Sequence, residues 1–429
     1  MAKKSQKLQE ISELLGSQSE EINLEDIPNT ELKNWTMKLN ETTDERYEPN
    51  TRHKIGEVIM IVLLAVLSNC NEWTTIEIFA KAKEKWLMEF LELEYGLPSI
   101  DTIQRVMAII KPVELYQLCV TYFVEHLNEL IVTTEDTVGK EIDIISLDGK
   151  TSNGSSRKKT SKEAITSVNT MSAYSTSYGL ALAQEFIPDK TNEIPIAPEL
   201  IKQLNVSNCI FTWDALNTQK ETVKAVDKKA DYVGALKGNQ HLFYKEVKLF
   251  FENEVVIKLI KDDGNYLKHV ESEKSGVVTR EYFMISDVNW FSEREKWKRL
   301  NSFGMEKKKI ERADGTISYE TRHFISSLEG DIELFAYAVR SHWRVENNLH
   351  APLDIVFKED KNKTLEAHGA KALGVVRRVA LMILKLAQPY YVKSLNSIRY
   401  QLSFNFEHEV EVLFKLLNTS GLKWQILDS

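Results

Sequence analysis

The most apolar run of the chain, VIMIVLLAVL from Val58 to Leu67, holds ten residues without a polar side chain. It is too short for the roughly 20 residues that cross a bilayer, and a helix apolar all round predicts burial on every side. Around it, from Asp44 to Val132, apolar positions recur at helical spacing. The spacing breaks at YGLPSIDT, where Pro98 and Ser99 announce a new helix start. Residues 44–135 therefore predict an all-helical domain. Residues 1–43 are mostly polar and predict a helical or flexible leader with little packing.

The pattern then changes period. IDIISL, CIFTWDA and DYVGALKG are short apolar runs of buried-strand type, and AITSVNTMSAYSTSYGLALAQEFI alternates around a Tyr-Gly turn. NEIPIAPELIKQL and TQKETVKAVDKKA read as helices between them. This β-β-α-β-α-β order predicts an α/β fold, a mixed sheet covered by helices, over residues 136–395. Residues from about 245 to 320 break the rhythm with a charged helix, hairpin-like segments and basic stretches, and predict an insertion. TRHFISSL returns to strand character, helical periodicity resumes from Asp331 to about Lys385, and residues 396–429 predict a C-terminal tail.

Composition alters this picture only where charge is localised. The 429 residues, 43% of them hydrophobic, can bury a large core in two or three domains. Three isolated cysteines without CxxC spacing argue against a zinc ribbon and fit a reducing, cytoplasmic setting. The polar opening MAKKSQKLQE lacks the apolar stretch of a signal peptide. A net charge of −8 weighs against nucleic acid only if the charge is evenly spread. It is not: Arg294–Arg312 holds eight basic and three acidic residues, and Lys150, Arg157, Lys158, Lys159 and Lys162 crowd the segment after the first strand.

Asp148 and Asp214 occupy matched settings there. Each ends a short apolar strand, IISLD and IFTWD, and precedes a small residue. Functional groups of open α/β sheets gather at the carboxyl ends of strands. Two carboxylates meeting there repel unless a cation lies between them, and oxygen ligands suit Mg²⁺ or Mn²⁺. Either aspartate alone reads first as a turn former, and it is the matched pair that brings in the functional reading. His342, Glu346 and His350 recur every four residues and predict one polar stripe on a helix face. Their spacing is not the HExxH of a zinc site. With Asp148 and Asp214, Glu346 would complete an Asp-Asp-Glu set for two metal ions acting on a phosphodiester.

SLDGKT, TWDALNTQK and HWRVENNLH, in that order, resemble the catalytic blocks of the DDE transposases of bacterial insertion sequences, in the group that includes the H-repeat-associated proteins. QEFIPDKTNEIPIAPELI, DYVGALKGNQ, RHFISSL and VFKEDKNKT match further, and LPSIDTIQRV resembles the end of that family's upstream helical domain. The resemblance spans about residues 44–390. It implies an RNase H-like mixed-sheet catalytic core, interrupted by an insertion and preceded by an all-helical domain. It implies Asp148, Asp214 and Glu346 as catalytic ligands of two Mg²⁺ or Mn²⁺ ions. The implied chemistry is cleavage at element ends, followed by attack of the freed 3′-hydroxyl on target DNA.

The implied partners are terminal inverted repeats, target DNA and, when bound to DNA, a second copy of the chain, with no membrane. The alternatives are a DNA-binding relic of a transposase and another RNase H-like metal nuclease. The family's arginine and lysine around the third carboxylate are replaced by His342 and Leu353. Candidate DNA contacts are Lys150, Arg157, Lys158 and Lys159 after the first strand, and Lys190 before a helix. Lys237, Asn239 and Gln240 in LKGNQ, and His342, Trp343, Arg344 and His350 around Glu346, complete the set. Trp343 also reads as a buried residue, and Gly238-Asn239 as a plain turn.

Overall fold

A computed structural model describes residues 30–47, 51–132, 142–152, 167–189, 191–226, 230–361, 364 and 367–418. Helix α1 (Thr30–Leu39) buries Leu32, Trp35 and Leu39, the i, i+3, i+7 positions of one face. The apolar run forms α2 (Ile55–Leu67), every residue of which is buried. Helices α3 (Trp73–Ala82), α4 (Glu84–Leu87), α5 (Ile100–Ile109) and α6 (Pro112–Val132) follow.

The chain's far end returns to this body as α13 (Ala367–Tyr391), α14 (Leu395–Phe404) and α15 (Phe406–Asn418). Trp35 meets Phe414 edge-on at 5.7 Å, and Phe406 packs on Phe79 at 4.9 Å and Trp86 at 5.5 Å. Buried Arg399 donates to Asn71 and to the Val66 and Val356 carbonyls, which ties α14 to the end of α2. Two expectations are corrected here. Residues 30–39 of the expected leader are core, and residues 396–418 of the expected tail are packed helices. In both, aromatic and aliphatic side chains spaced along the helices bury one face against the shared helical body.

The sheet has nine strands in the order β3-β2-β1-β4-β5-β9-β8-β7-β6. Strands β1 (Asp143–Ser152), β2 (Val168–Ser175) and β3 (Leu180–Ile187) are antiparallel neighbours. Strands β4 (Cys209–Trp213) and β5 (Asp231–Leu236) run parallel to β1, linked through α7 (Ile196–Gln203) and α8 (Lys220–Ala225). That order and sense are an RNase H-like core.

After α9 (His241–Glu252) and α10 (Glu254–Asp262), the inserted strands β6 (Tyr266–Glu273), β7 (Gly276–Ile285), β8 (Ser302–Glu311) and β9 (Ile317–Ser326) extend the same sheet, β9 pairing antiparallel with β5. Helix α11 (Ile332–His342) crosses one face, packing Phe335 and Val339 among Ile144, Ile210, Val233, Tyr282 and Phe324. It seats half on the core strands and half on the inserted ones. A Cβ at Gly304 of β8 would overlap the Phe335 ring, so the glycine is what lets the helix approach. The opposite face, carrying Ile145, Leu147, Phe211 and Trp213, packs into the helical body.

Candidate metal and nucleic-acid site

Side chains alternate along a strand, so Asp148 shares the α11 face with Ile144, and Asp214 shares it with Ile210. The last paired residues of the parallel ladder are Leu147 and Trp213, and the two aspartates are the next residue on each chain. Asp148 does not end its strand, as the sequence had predicted. The β1–β2 hairpin continues to Ser152, paired with Val168, past the point where β4 stops. The match between the two aspartates is one of register with respect to the β1–β4 pair.

Asp214 caps a 3₁₀ turn, and its Oδ1 accepts from Leu216 N at 3.1 Å, Asn217 N at 3.4 Å and Asn217 Nδ2 at 3.3 Å. Asn217 also donates to Glu193 Oε2 at 2.9 Å. Glu193 thus joins the site from the end of the β3–α7 loop, and a Cβ on Gly149 would overlap its carboxylate. By sequence Glu193 falls simply within the helical segment NEIPIAPELIKQL. A carboxylate in the short link between the third strand and its helix was the available signal.

Beyond α11 the backbone widens into a π-helical turn, Glu346–His350, before α12 (Ala351–Ile355). Such single π turns are rare and concentrate at functional sites. His350 Nδ1 lies 3.0 Å from Glu346 Oε2 and 3.5 Å from Asp148 Oδ2. The expected three-residue stripe is therefore broken. His342 ends α11 and turns its Nδ1 to Thr212 Oγ1 at 3.0 Å, away from Glu346. Burial depresses the His342 imidazole to about 4 and lowers that of His350, so both favour the neutral ring.

The electrostatics centre on Asp148. Burial, then the charges of Glu193, Asp214 and Glu346, push its carboxyl up to about 7. Burial also raises Glu193 against the opposing hydrogen bond from Asn217. One donor atom each from Asp148, Glu346 and His350 lie within 4.8 Å of one another. Hard oxygen donors crowded enough to repel one another fit a divalent cation.

The remaining candidates divide. Lys150 is 6% exposed, and its Nζ sits 2.7 Å from both carboxylate oxygens of Asp354. It is spent on locking β1 to α12 and is not presented to solvent as a phosphate ligand. Asn239 donates to Ala215 O at 2.6 Å, and Gln240 to Thr218 O at 3.2 Å, so both brace the turn that carries Asp214. Lys237 is exposed beside them. Trp343 is not buried: it is 48% exposed and lies under the Arg322 guanidinium at 4.5 Å. Arg344 lies 5.9 Å from the Tyr337 ring. Arg157, Lys158, Lys159 and Lys190 lie outside the described residues.

A family model described as "Transposase DDE domain" matches residues 139–383. The chain belongs to the DDE-domain transposase family. A second model, for the segment associated with that domain, matches residues 36–123. "Putative transposase YncI" of Escherichia coli O157:H7 is 30% identical over 350 residues, covering 80% of this chain and 85% of the relative. "H repeat-associated putative transposase YhhI" of Escherichia coli K12 is 28% identical over 369 residues, covering 82% and 91%. The strand order described above is the RNase H-like arrangement of this DDE family, and among the described residues no helix is long and apolar enough to cross a membrane.

Proposed function

We propose that this DDE transposase mobilises an insertion sequence by divalent-ion-dependent cleavage and strand transfer at the element ends, with Asp148, Asp214 and Glu346 as the ligands of two Mg²⁺ or Mn²⁺ ions. The observation that carries this reading is the register of Asp148 and Asp214 past the last β1–β4 pair, with Glu346 brought beside Asp148 through His350. A bound ion pair supplies activation of a water or 3′-hydroxyl nucleophile and charge stabilisation at the phosphodiester.

The chain's own residues do the positioning. Leu216 N and Asn217 hold the Asp214 carboxylate, and Lys150 with Asp354 fixes the Asp148 strand against the helix following Glu346. Asp148, raised to about 7, gives up its proton readily once positive charge arrives. Exposed Trp343 and Lys237, with half-buried Arg322 and Arg344 beside the tryptophan, form the aromatic and basic flank for DNA, since aromatic faces and guanidinium groups stack on unpaired bases. The working form on DNA is a homodimer that brings two element ends together, in the cytoplasm.

The test is nicking of a duplex ending in the flanking inverted repeat, with Mg²⁺, comparing wild type with Asp214→Asn. Loss of nicking by more than about 100-fold, beyond what substitutions outside the ligand shell cost, is the expected result. Equal nicking in the variant would overturn the ligand assignment, and wild-type binding without nicking would mark the chain as a DNA-binding relic.

A further inference from the structure

The carboxylates leave one feature of the site unexplained, the buried imidazole between two of them. His350 is 4% exposed and its Nε2 has no hydrogen-bond partner among the described residues. Its polar engagement is through Nδ1 alone, 3.0 Å from Glu346 Oε2 and 3.5 Å from Asp148 Oδ2. A single N–H serves one of these acceptors well, and 3.5 Å is beyond an ordinary N–H···O bond. A cation at the same place bonds all three. An octahedral ion with bonds of about 2.1 Å sets neighbouring donors about 3.0 Å apart and opposite donors about 4.2 Å apart. One donor atom from each of the three residues falls within 4.8 Å of the others, so that shifts of a few tenths of an ångström bring them into one coordination shell.

We propose that His350 supplies, through Nδ1, a nitrogen ligand to the ion shared by Asp148 and Glu346, so that the site prefers Mn²⁺ and similar transition-metal ions to Mg²⁺. This rests on the metal-ligand reading of the carboxylates given above. Imidazole suits transition-metal ions, whereas Mg²⁺ takes oxygen and gains little from nitrogen. The π turn keeps this pair of ligands together. It presents Glu346 and His350 side by side to Asp148, while His342, one turn earlier, is held by Thr212.

The experiment is electron spin-echo spectroscopy of Mn²⁺ bound to the full chain, with natural-abundance and ¹⁵N-histidine-labelled protein. The expected result is nitrogen modulation that changes with labelling, survives His342→Gln and disappears in His350→Gln. In His350→Gln the Mn²⁺ affinity, read by titration, should fall about tenfold or more while Mg²⁺ affinity moves less than about threefold. If His350→Gln does not fold, labelled wild type and His342→Gln still assign the nitrogen. Mn²⁺ that binds, depends on Asp148 and shows no histidine modulation overturns the His350 proposal alone, as does modulation lost with His342→Gln. Mn²⁺ binding indifferent to Asp148→Asn overturns the carboxylate reading as well.

Discussion

The two halves of the sheet handle charge in opposite ways. Strand β4 is buried at all five positions, whereas β6 at the far edge is buried at none. In the core half the polar groups around the site are paired inside the fold: Lys150 with Asp354, Asp214 with Asn217, Thr212 with His342. Towards the outer ribbon pairs such as Arg322 with Glu320 or Lys309 with Glu311 are partly solvated, although Arg280 and Glu306 between β7 and β8 are largely buried. The boundary does not fall where the insertion begins. The near halves of β7, β8 and β9 contribute Phe283, Phe303, Met305, Phe324 and Ile325 to the core, and only their far halves are ribbon. The difference teaches that the insertion builds the seat of α11, and through it the approach of Glu346, as well as an exposed surface.

The largest stability difference should appear between the two kinds of ion pair. Lys150→Met leaves the Asp354 carboxylate, and Glu359 4.0 Å from the lost ammonium, with one cation fewer in a buried setting. Breaking a fully buried pair from one side costs about 3–5 kcal/mol, and because Asp354 is 34% exposed the expected loss is about 2–3 kcal/mol. Lys309→Met in the ribbon should cost less than about 1 kcal/mol. Urea midpoints of the two variants measure this, and equal losses would show that the halves are not electrostatically distinct.

Next in size is the seat of α11. Gly304→Ala drives a methyl group into the Phe335 ring and should cost about 1–3 kcal/mol. Because α11 leads into the π turn, the same variant should also bind Mn²⁺ more weakly. Ser318→Ala, in the ribbon half of β9, should stay within about 0.5 kcal/mol of wild type and bind the ion normally. A Gly304→Ala protein of unchanged ion affinity would uncouple the insertion from the site.

What could be read from the chain follows the same division. IISL and IFTW announced themselves because parallel strands buried on both faces are continuous apolar runs. The β-β-α-β-α-β order followed from such runs and their turns. Partnerships over long separations carried no local signal: Lys150 finds Asp354, 204 positions on, and β9 finds β5 after the whole insertion. The ends were misread because the burial of Trp35, Phe406 and Phe414 depends on each end finding the shared helical body, far away in sequence. The His342–Glu346–His350 stripe assumed an unbroken α-helix, and the π turn kept one of its pairings while turning His342 elsewhere.

The smallest effect tests whether the near half of β9 is core in its energetics as well as its burial. His323 there is 4% exposed, lies 5.5 Å from the Tyr244 ring and 5.9 Å from that of Phe251, and its Nδ1 meets no partner among the described residues. Burial, with Lys248 and Lys307 adding to it against Glu252, depresses its imidazole to about 4. The native state therefore refuses a proton that the unfolded chain accepts near pH 6.5. Stability is complete above that value and falls as pH drops from about 6.5 towards 4. Between pH 7.5 and 5.5 this group should remove about 1 kcal/mol. Other depressed histidines, His342 among them, add to the wild-type slope. The difference between wild type and His323→Phe, each measured by urea at both pH values, isolates this one. The variant should lose about 1 kcal/mol less on acidification. An identical loss in both proteins would mean that the near half of β9 takes up protons as freely as the ribbon, and the division of the sheet would hold for packing alone.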